Sequence, residues 1–419
     1  MSHRRFDALV VGAGPAGSVA ATVLARGGAR VALVDKARFP RAKACGDLVG
    51  PRGVQLLDDL GLRVGGSVPV GDMIVVGPTG RRVRLPCFPG DTYPDRAFAL
   101  PRAELDASLY DAAVTAGAEP FLGRVDTPLV GARGLEGFAL ASGEELRADT
   151  VIGADGATSR VAAVAGLVEP DCVLWGFAVR AYVDAPVQVP HIVFWEPAPW
   201  HAFPGYGWLF PGPDGRANVG LGIGTLSDRG AAAAATRRLP AFVDTLRDLE
   251  LLDRSATGPV LGGWLKLGMV GTRPAHARVL LTGDAAGLVN PLQGEGIAQA
   301  MGSGRAAAHA VLDAPDRPAD RYRAHLAGVY APYAKTAATI HATLLHHPRT
   351  VSAAGRLLTA PFVGSTLAGG WSLYWNDLLE GASERSARTV AAAATRVGRS
   401  MTGRSRTRRW IDGALDSSR

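Results

Sequence analysis

The sequence predicts an α/β chain in three parts: a Rossmann-like dinucleotide-binding domain, a second domain built on an antiparallel sheet, and a helical C-terminal region. Three observations carry this reading. The stretch Ala8–Gly17, ALVVGAGPAG, joins an apolar run to a helix-like segment through glycines in G-x-G-x-x-G spacing. Residues 172–270 change character, alternating apolar and polar positions between prolines, and from Ala298 onward the pattern is largely helical. The expected division is discontinuous: residues 1–69, 96–170 and 271–312 form the dinucleotide domain, 70–95 and 171–270 the sheet domain, and 313–419 the helical region.

In the first motif Leu9-Val10-Val11 reads as a strand. Gly12 permits the tight turn, Gly14 lets a pyrophosphate approach the backbone, and Gly17 lets helix and strand pack closely, with Ala16 in the same turn. The helix N-terminus then faces the phosphates. A second apolar run ends at Asp35, eighteen residues past Gly17, where a carboxylate can accept hydrogen bonds from the adenosine ribose. An acid there disfavours a 2′-phosphate. The loop from Lys36 to Asp47 has neither helical nor strand period. Its basic residues, Lys36, Arg41 and Lys43 among them, can neutralise phosphates, and Cys45-Gly46 lets the backbone pass closely by a ring. A solvated basic connection is the alternative on composition alone.

Next in order, Pro51–Gly61 reads as a short amphipathic helix with proline at its start and glycine at its end. Residues 70–85 suggest a hairpin, and a helix opens near Arg102 and runs to about Ala116. Arg102 is either a surface residue or a cofactor contact. Residues 119–148 read as a β-meander, and 150–160 as strand, turn and helix, with Asp155-Gly156 at the strand end where ligands of α/β sheets collect. Within the antiparallel domain one helix is expected over 231–248. In Pro204–Pro211, Tyr206, Trp208 and Phe210 stand at alternate positions on one strand face, as core or as a binding wall. Strand-to-helix logic recurs at Gly283-Asp284, where the acid can bind a ribose or ribityl hydroxyl. The glycine-rich turn Gly294–Gly296 before Ile297 offers free N–H groups and a positive dipole end. His341, His346 and His347 read as solvent-facing helix residues, and no metal site is expected.

The chain has 419 residues, 47% hydrophobic, which is enough for more than one core. Its net charge of +7 is concentrated in six arginines between Arg396 and Arg409 with no acid among them. No aromatic-interleaved or helix-turn-helix pattern accompanies them, so nucleic acid is not an expected partner. An anionic membrane surface is better motivated, because Leu357–Trp375 is nineteen residues without a charge. Its proline and glycines disfavour a spanning helix and leave a buried helix pair or an interfacial surface. Cys45, Cys87 and Cys172 are odd in number and widely spaced, as for free thiols. The first apolar run passes directly into the fingerprint and has no secretory cleavage site, so the expected location is cytoplasmic, with peripheral contact to the inner membrane face as its extension.

Four separated pieces now stand in order: the fingerprint with Asp35, the Arg102 helix start, Gly153–Gly156, and Gly283-Asp284 with its glycine-rich helix. Together they resemble the FAD-dependent monooxygenase superfamily with the para-hydroxybenzoate hydroxylase fold. The resemblance implies that the first motif binds the ADP half of FAD. It also implies an arginine near the cofactor, Asp155-Gly156 beside the pyrophosphate, and a last motif that holds the ribityl chain and flavin. Two further pieces narrow it. Lys43-Ala44-Cys45-Gly46 is similar to the K-x-C-G loop of geranylgeranyl reductases, and Tyr206-Gly-Trp208-Leu-Phe210-Pro211 with Gly220-Leu-Gly222 resembles that family's substrate-cavity signature. The resemblance implies a reductase of isoprenoid double bonds, with hydride from reduced FAD and a proton from Cys45 first, Tyr206 or a water otherwise. The partners it implies are a hydrophobic isoprenoid or polyene substrate and an electron donor, NAD(P)H or a ferredoxin. A monooxygenase or halogenase acting on an aromatic or polyketide is the alternative, since one FAD site serves both chemistries. A non-redox polyene cyclase and a lipid-binding flavoprotein complete the readings.

Overall fold

The computed structural model describes residues 4–87, 89–90, 92–194, 205–225, 234–253, 258–341, 348–364 and 406–416, with a few isolated positions between them. Continuous Val- and Leu-rich runs give strands buried on both faces, the signature of a parallel sheet covered by helices. Arg4–Val11 is such a strand, with Ala8 to Val10 fully buried. It lies between Glu145–Gly153 and Val31–Asp35, both parallel to it. Val279–Leu281 and Glu119–Leu122 extend the parallel order on either side. The stretch 119–148 is therefore not one meander. Glu119–Leu122 joins the parallel sheet, and only Val125–Gly131, Gly134–Leu140 and Glu145–Gly153 run antiparallel to one another. The helices Pro15–Arg26 and Ile297–Asp313 pack together against this sheet.

The second sheet has seven strands in the order Leu261–Lys266, Trp175–Asp184, Arg216–Thr225, Gly205–Pro211, His191–Val193, Met73–Val76 and Arg82–Leu85. Alternation splits its residues between two faces. Val179, Ala181, Leu209, Val219 and Leu221 are fully buried beneath the helix Leu239–Asp248, whose Phe242 is also fully buried. The opposite face carries Tyr206, Trp208 and Phe210. All pairings are antiparallel except one: His191–Val193 runs parallel to Met73–Val76. The expected helix over 231–248 begins only at Leu239, where Pro240 stands in the first turn, and is preceded by the 3-10 segment Ala234–Arg238. Positions 231–233 lie outside the described residues.

The expected hairpin is Met73–Val76 with Arg82–Leu85. Val70 is not part of it: Val68–Val70 pairs with Ala97–Ala99 in a three-stranded sheet completed by Leu48–Val49. The C-terminal region provides the helices Pro318–Val329, Ala331–Ile340, Pro348–Leu358 and Arg406–Leu415. The last is docked: Ile411 is fully buried, Trp410 donates to Glu169 at 3.2 Å, and Asp412 pairs with Lys335. Leu357 and Leu358 end a helix, whereas positions 368–375 of the uncharged stretch, together with Arg399 and Arg404 of the basic tail, lie outside the described residues. Among the described residues no helix is long and apolar enough to cross a membrane.

Candidate active site

At the C-terminal end of the parallel sheet the fingerprint leaves no room for side chains. Gly12 has φ +100°, and a Cβ there would lie 2.4 Å from the Ala154 carbonyl oxygen. A Cβ on Gly17 would lie 1.7 Å from the Gly12 oxygen. Strand, turn and helix are thus fixed by backbone contact. Gly14 is different: the nearest atom to its missing Cβ is Nη2 of Arg41, 3.6 Å away. The helix Pro15–Arg26 begins there with no side-chain cap, so its first N–H groups and dipole are open to an anion beside the Arg41 guanidinium. Asp35 braces this turn, accepting from the amides of Ala13 at 2.8 Å and Ala37 at 2.9 Å. Lys36 is exposed next to it. Asp155 holds the start of the helix Arg160–Val164, accepting from Ser159 Oγ at 2.5 Å and the Arg160 amide at 2.7 Å, with Gly156 in the turn that follows. Burial pushes the Asp155 carboxyl above its ordinary pKa, against those hydrogen bonds. Gly283 stands where strand Val279–Leu281 gives way to a 3-10 turn, close to Ala16 and Ala300. An uncapped helix start, bare glycine backbone and a facing guanidinium fit the pyrophosphate of a dinucleotide.

A cavity with about 220 Å³ of open space lies alongside. It gathers Cys45, Gly46, Arg102, Tyr206, Trp208, Phe210, Gly222, Asp284, Gly294, Gly296 and Ile297, residues spread over more than 250 positions of sequence that were singled out separately. Pro15 at the fingerprint helix start also lines it, which joins the cavity to the dinucleotide cradle. The register explains the aromatic face. Tyr206, Trp208 and Phe210 stand opposite Gly222, Gly220 and Asn218, so the first two rings each face a glycine. A Cβ on Gly220 would lie 2.2 Å from Trp208 Cζ2, so the indole occupies the space a side chain would take. Trp208 and Phe210 are buried and belong to a core cluster with Leu48, Met73 and Leu85, all of which also line the cavity. Core and wall are the same residues here. Gly220 and Pro211 do not themselves line the cavity: the first supports Trp208 from behind, and the second ends the strand.

The loop carrying Cys45 is fastened from both sides by Asp47, which sequence reasoning did not single out. Asp47 is 3% exposed and has φ +63°. Its Oδ1 accepts from the Arg102 amide at 3.1 Å; its Oδ2 accepts from Asn218 Nδ2 at 2.8 Å and from the Tyr182 hydroxyl. Asn218 also donates to the Cys45 carbonyl at 2.8 Å and accepts from Trp208 Nε1 at 2.9 Å. Burial pushes the Asp47 carboxyl up, with Tyr182, Asn218 and Arg180 opposing it. The only sequence cue was an acid directly after Cys45-Gly46.

Arg102 is buried and donates to both oxygens of Asp106, at 2.8 and 2.9 Å. Asp106 also pairs with Arg41 at 3.2 Å, so the cradle arginine and the cavity arginine share one carboxylate. Burial opposes the charge on Arg102, but Asp106 and Cys45 outweigh it and raise its pKa. Burial likewise raises the Cys45 thiol, against the neighbouring Arg102 guanidinium, and keeps it protonated. Tyr206 donates its hydroxyl to the Gln293 carbonyl, and burial and Glu295 push its pKa up. That hydrogen bond ties the aromatic wall to the glycine turn before Ile297.

Two more residues were not anticipated. His341, expected to face solvent, is 5% exposed, lines the cavity and abuts Gly224. The cue was available: Ala334, Ala337, Ala338 and His341 fall at helical spacing on one apolar face. His346 and His347 lie outside the described residues. Lys266 is fully buried and donates to the Ala285 carbonyl at 2.7 Å; burial lowers its pKa to about 8, against Asp155 and Asp284. Among the described residues no group of His, Cys, Asp and Glu could hold a metal ion.

Residues 5–193 match the family model described as FAD binding domain. The chain is 36% identical over 316 residues to the menaquinone reductase of Mycolicibacterium smegmatis, covering 73% of this chain and 76% of that one. It is 33% identical over 326 residues to the digeranylgeranylglycerophospholipid reductase 2 of Methanopyrus kandleri, covering 74% and 77%. The crystal structure of a geranylgeranyl bacteriochlorophyll reductase-like protein from Thermoplasma acidophilum superposes with a TM-score of 0.66 at 20% identity, over 99% of this chain and all of that one, and so shares its fold. The chain belongs to the geranylgeranyl reductase family of FAD-dependent oxidoreductases.

Proposed function

We propose that the protein saturates C=C bonds of an isoprenoid chain, of the geranylgeranyl or polyprenyl kind, laid across the flavin in the cavity of Tyr206, Trp208 and Phe210. The observation that carries this is the meeting, in one apolar cavity, of the Cys45-Gly46 loop, the aromatic sheet face and the glycine turn at 294–296. The names of the relatives, which specify reduction of menaquinone and of a digeranylgeranyl lipid, support the same class.

FAD, when bound and reduced, supplies the hydride. Gly12, Gly14, Ala16, Gly17 and Arg41 would hold its pyrophosphate, Asp35 its adenosine end, and Asp284 with Gly294 and Gly296 its ring end. The dipole of the helix at Ile297 favours negative charge on that ring. Its first turn is not as open as the glycine-rich sequence implies: the Glu295 carboxylate accepts from the Ala298 amide at 2.9 Å, and the Gly294 amide donates to the Asn290 carbonyl at 2.9 Å. An unactivated alkene offers no carbonyl to hold developing charge, so the protein must supply a proton and close packing. Cys45 is the proton donor in this reading: its thiol is kept neutral by burial and Arg102 lies beside it. Tyr206 is the weaker candidate, because its hydroxyl proton is engaged by the Gln293 carbonyl. The Trp208 and Phe210 faces exclude water and hold the chain by apolar contact. The electron donor in this reading is NAD(P)H or a ferredoxin, and the surface on which the lipid substrate is met is an anionic membrane.

The test is incubation under argon with dithionite-reduced enzyme and candidate isoprenoids, followed by mass spectrometry. A gain of two hydrogens per double bond is expected. A strict requirement for oxygen would overturn the proposal in favour of a monooxygenase or halogenase, and an isomerised product of unchanged mass in favour of a cyclase.

A further inference from the structure

A second cleft opens further along the helix Ile297–Asp313, with about 900 Å³ of open space and no lining residue in common with the first cavity. Three helices build it. Pro51–Asp59 contributes Arg52 and Asp59, Ile297–Asp313 contributes Arg305, His309 and Asp313, and Pro318–Val329 contributes Arg321 and His325. The two acids are already engaged: Asp59 pairs with Arg305 at 2.9 Å and Asp313 with Arg321 at 3.8 Å. Among the described lining residues three guanidinium groups and two imidazoles converge with these two acids. His325 registers this field: burial lowers its pKa, and Arg52, Arg305, Arg321 and His309 lower it further. The cleft is not uniformly polar. Ala306, Ala310, Ala324 and Val329 form an apolar wall, and the Arg52 guanidinium lies over the Tyr330 ring at 5.1 Å.

A convergent cationic rim beside an apolar wall, in a space at the upper end of small-molecule pockets, matches an anion that carries an uncharged body. We propose that this cleft binds an organic phosphate, its phosphate held between Arg52, Arg305 and Arg321 and its remainder lying against the alanine wall. None of these residues takes part in the alkene reduction proposed above, so the inference stands apart from that reading. A soluble nucleotide and a phospholipid headgroup present the same chemistry.

The test uses the full-length FAD-loaded protein with labelled histidine. The His325 pKa is followed by NMR with ADP in one arm and phosphatidylglycerol vesicles in another, against phosphatidylcholine vesicles as the uncharged control. Bound phosphate should raise the His325 pKa by about one unit, the usual effect of a nearby opposite charge. Arg52→Ala/Arg321→Ala should weaken binding at least tenfold with the flavin absorbance unchanged, and Arg52→Lys/Arg321→Lys should restore part of it. A shift with ADP identifies a nucleotide and a shift confined to phosphatidylglycerol identifies a headgroup; each supports the proposal. An unmoved His325 pKa in both arms, or binding that survives the double Ala variant, would overturn it.

Discussion

Asp47→Ala removes one carboxylate from a place where three donors converge: the Arg102 amide, Asn218 Nδ2 and the Tyr182 hydroxyl. Hydrogen bonds to a charged group contribute about 1.5–3 kcal/mol each. Two effects reduce the sum: Asn218 keeps the Cys45 carbonyl at 2.8 Å, and the cost of burying the carboxylate, which raises its pKa, disappears. The left-handed φ of +63° changes the sum little, because aspartate and alanine both carry a Cβ there and aspartate is only the better tolerated of the two. The expected loss is about 3–5 kcal/mol, as for removal of one member of a buried charged network. Chemical denaturation of the FAD-loaded protein, followed by circular dichroism, measures it. Asp47→Gly serves as the control without backbone strain and should recover about 1 kcal/mol of the loss. The pH dependence has a fixed sign. A carboxyl raised on folding contributes stability that is fully present below its unfolded pKa and lost as pH rises through the folded one, so the gap between wild type and the Ala variant should widen on acidification. A loss below about 1 kcal/mol, the size of one ordinary hydrogen bond, would refute the assignment of Asp47 as the fastening of the Cys45 loop.

Cys45→Ser should bind FAD normally, judged by absorbance, and lose most alkene reduction; unchanged reduction with reducible FAD removes the thiol from the mechanism. Gly220→Ala brings a methyl to 2.2 Å from Trp208 Cζ2 and 2.3 Å from the Val179 carbonyl oxygen, at a cost of about 1–3 kcal/mol. Its tryptophan fluorescence should change and its KM for the isoprenoid rise, while the FAD content holds. Lys266 has its pKa lowered by burial from 10.5 to about 8, so the folded state binds fewer protons than the unfolded one between those values and stability rises with pH across them. Relative to Lys266→Met, the apoprotein should gain about 3 kcal/mol over that window, at about 1.4 kcal/mol per pKa unit; parallel pH curves for the two proteins would contradict this.

How much the sequence disclosed depended on the range of the interactions involved. The fingerprint from Gly12 to Gly17 was legible because turn and helix start follow directly on one strand, where local sterics dictate them, and the bracing acid Asp35 ends the very next strand of the same unit. The aromatic stripe was legible as a stripe, but its two candidate roles could not be separated. Trp208 becomes a wall only through Gly220 and Asn218 on the neighbouring strand and Gly46 from another part of the chain. Asp47 was passed over for the same reason, since its partners Tyr182 and Asn218 lie 135 and 171 residues away. The parallel pairing of Glu119–Leu122 was hidden because a short strand ahead of three antiparallel ones carries no mark of its own direction. His341 was misread although its spacing matched the buried alanines, because a histidine with no ligating partners nearby in sequence suggests solvent.

The row of glycines at 220, 222 and 224 makes the shape of the aromatic wall a matter of absent atoms rather than of loop length. Alternate positions on one strand point the same way, so the three form a scale graded in single methyl groups. A methyl at 220 collides with the indole, and one at 224 would lie 2.2 Å from His341 Nε2. At 222 it would rest 3.6 Å from Trp208 Cζ3, an ordinary contact. Position 222 is therefore the one of the three where a methyl group enters the cavity without displacing a ring, while its two neighbours are locked by the rings they accommodate.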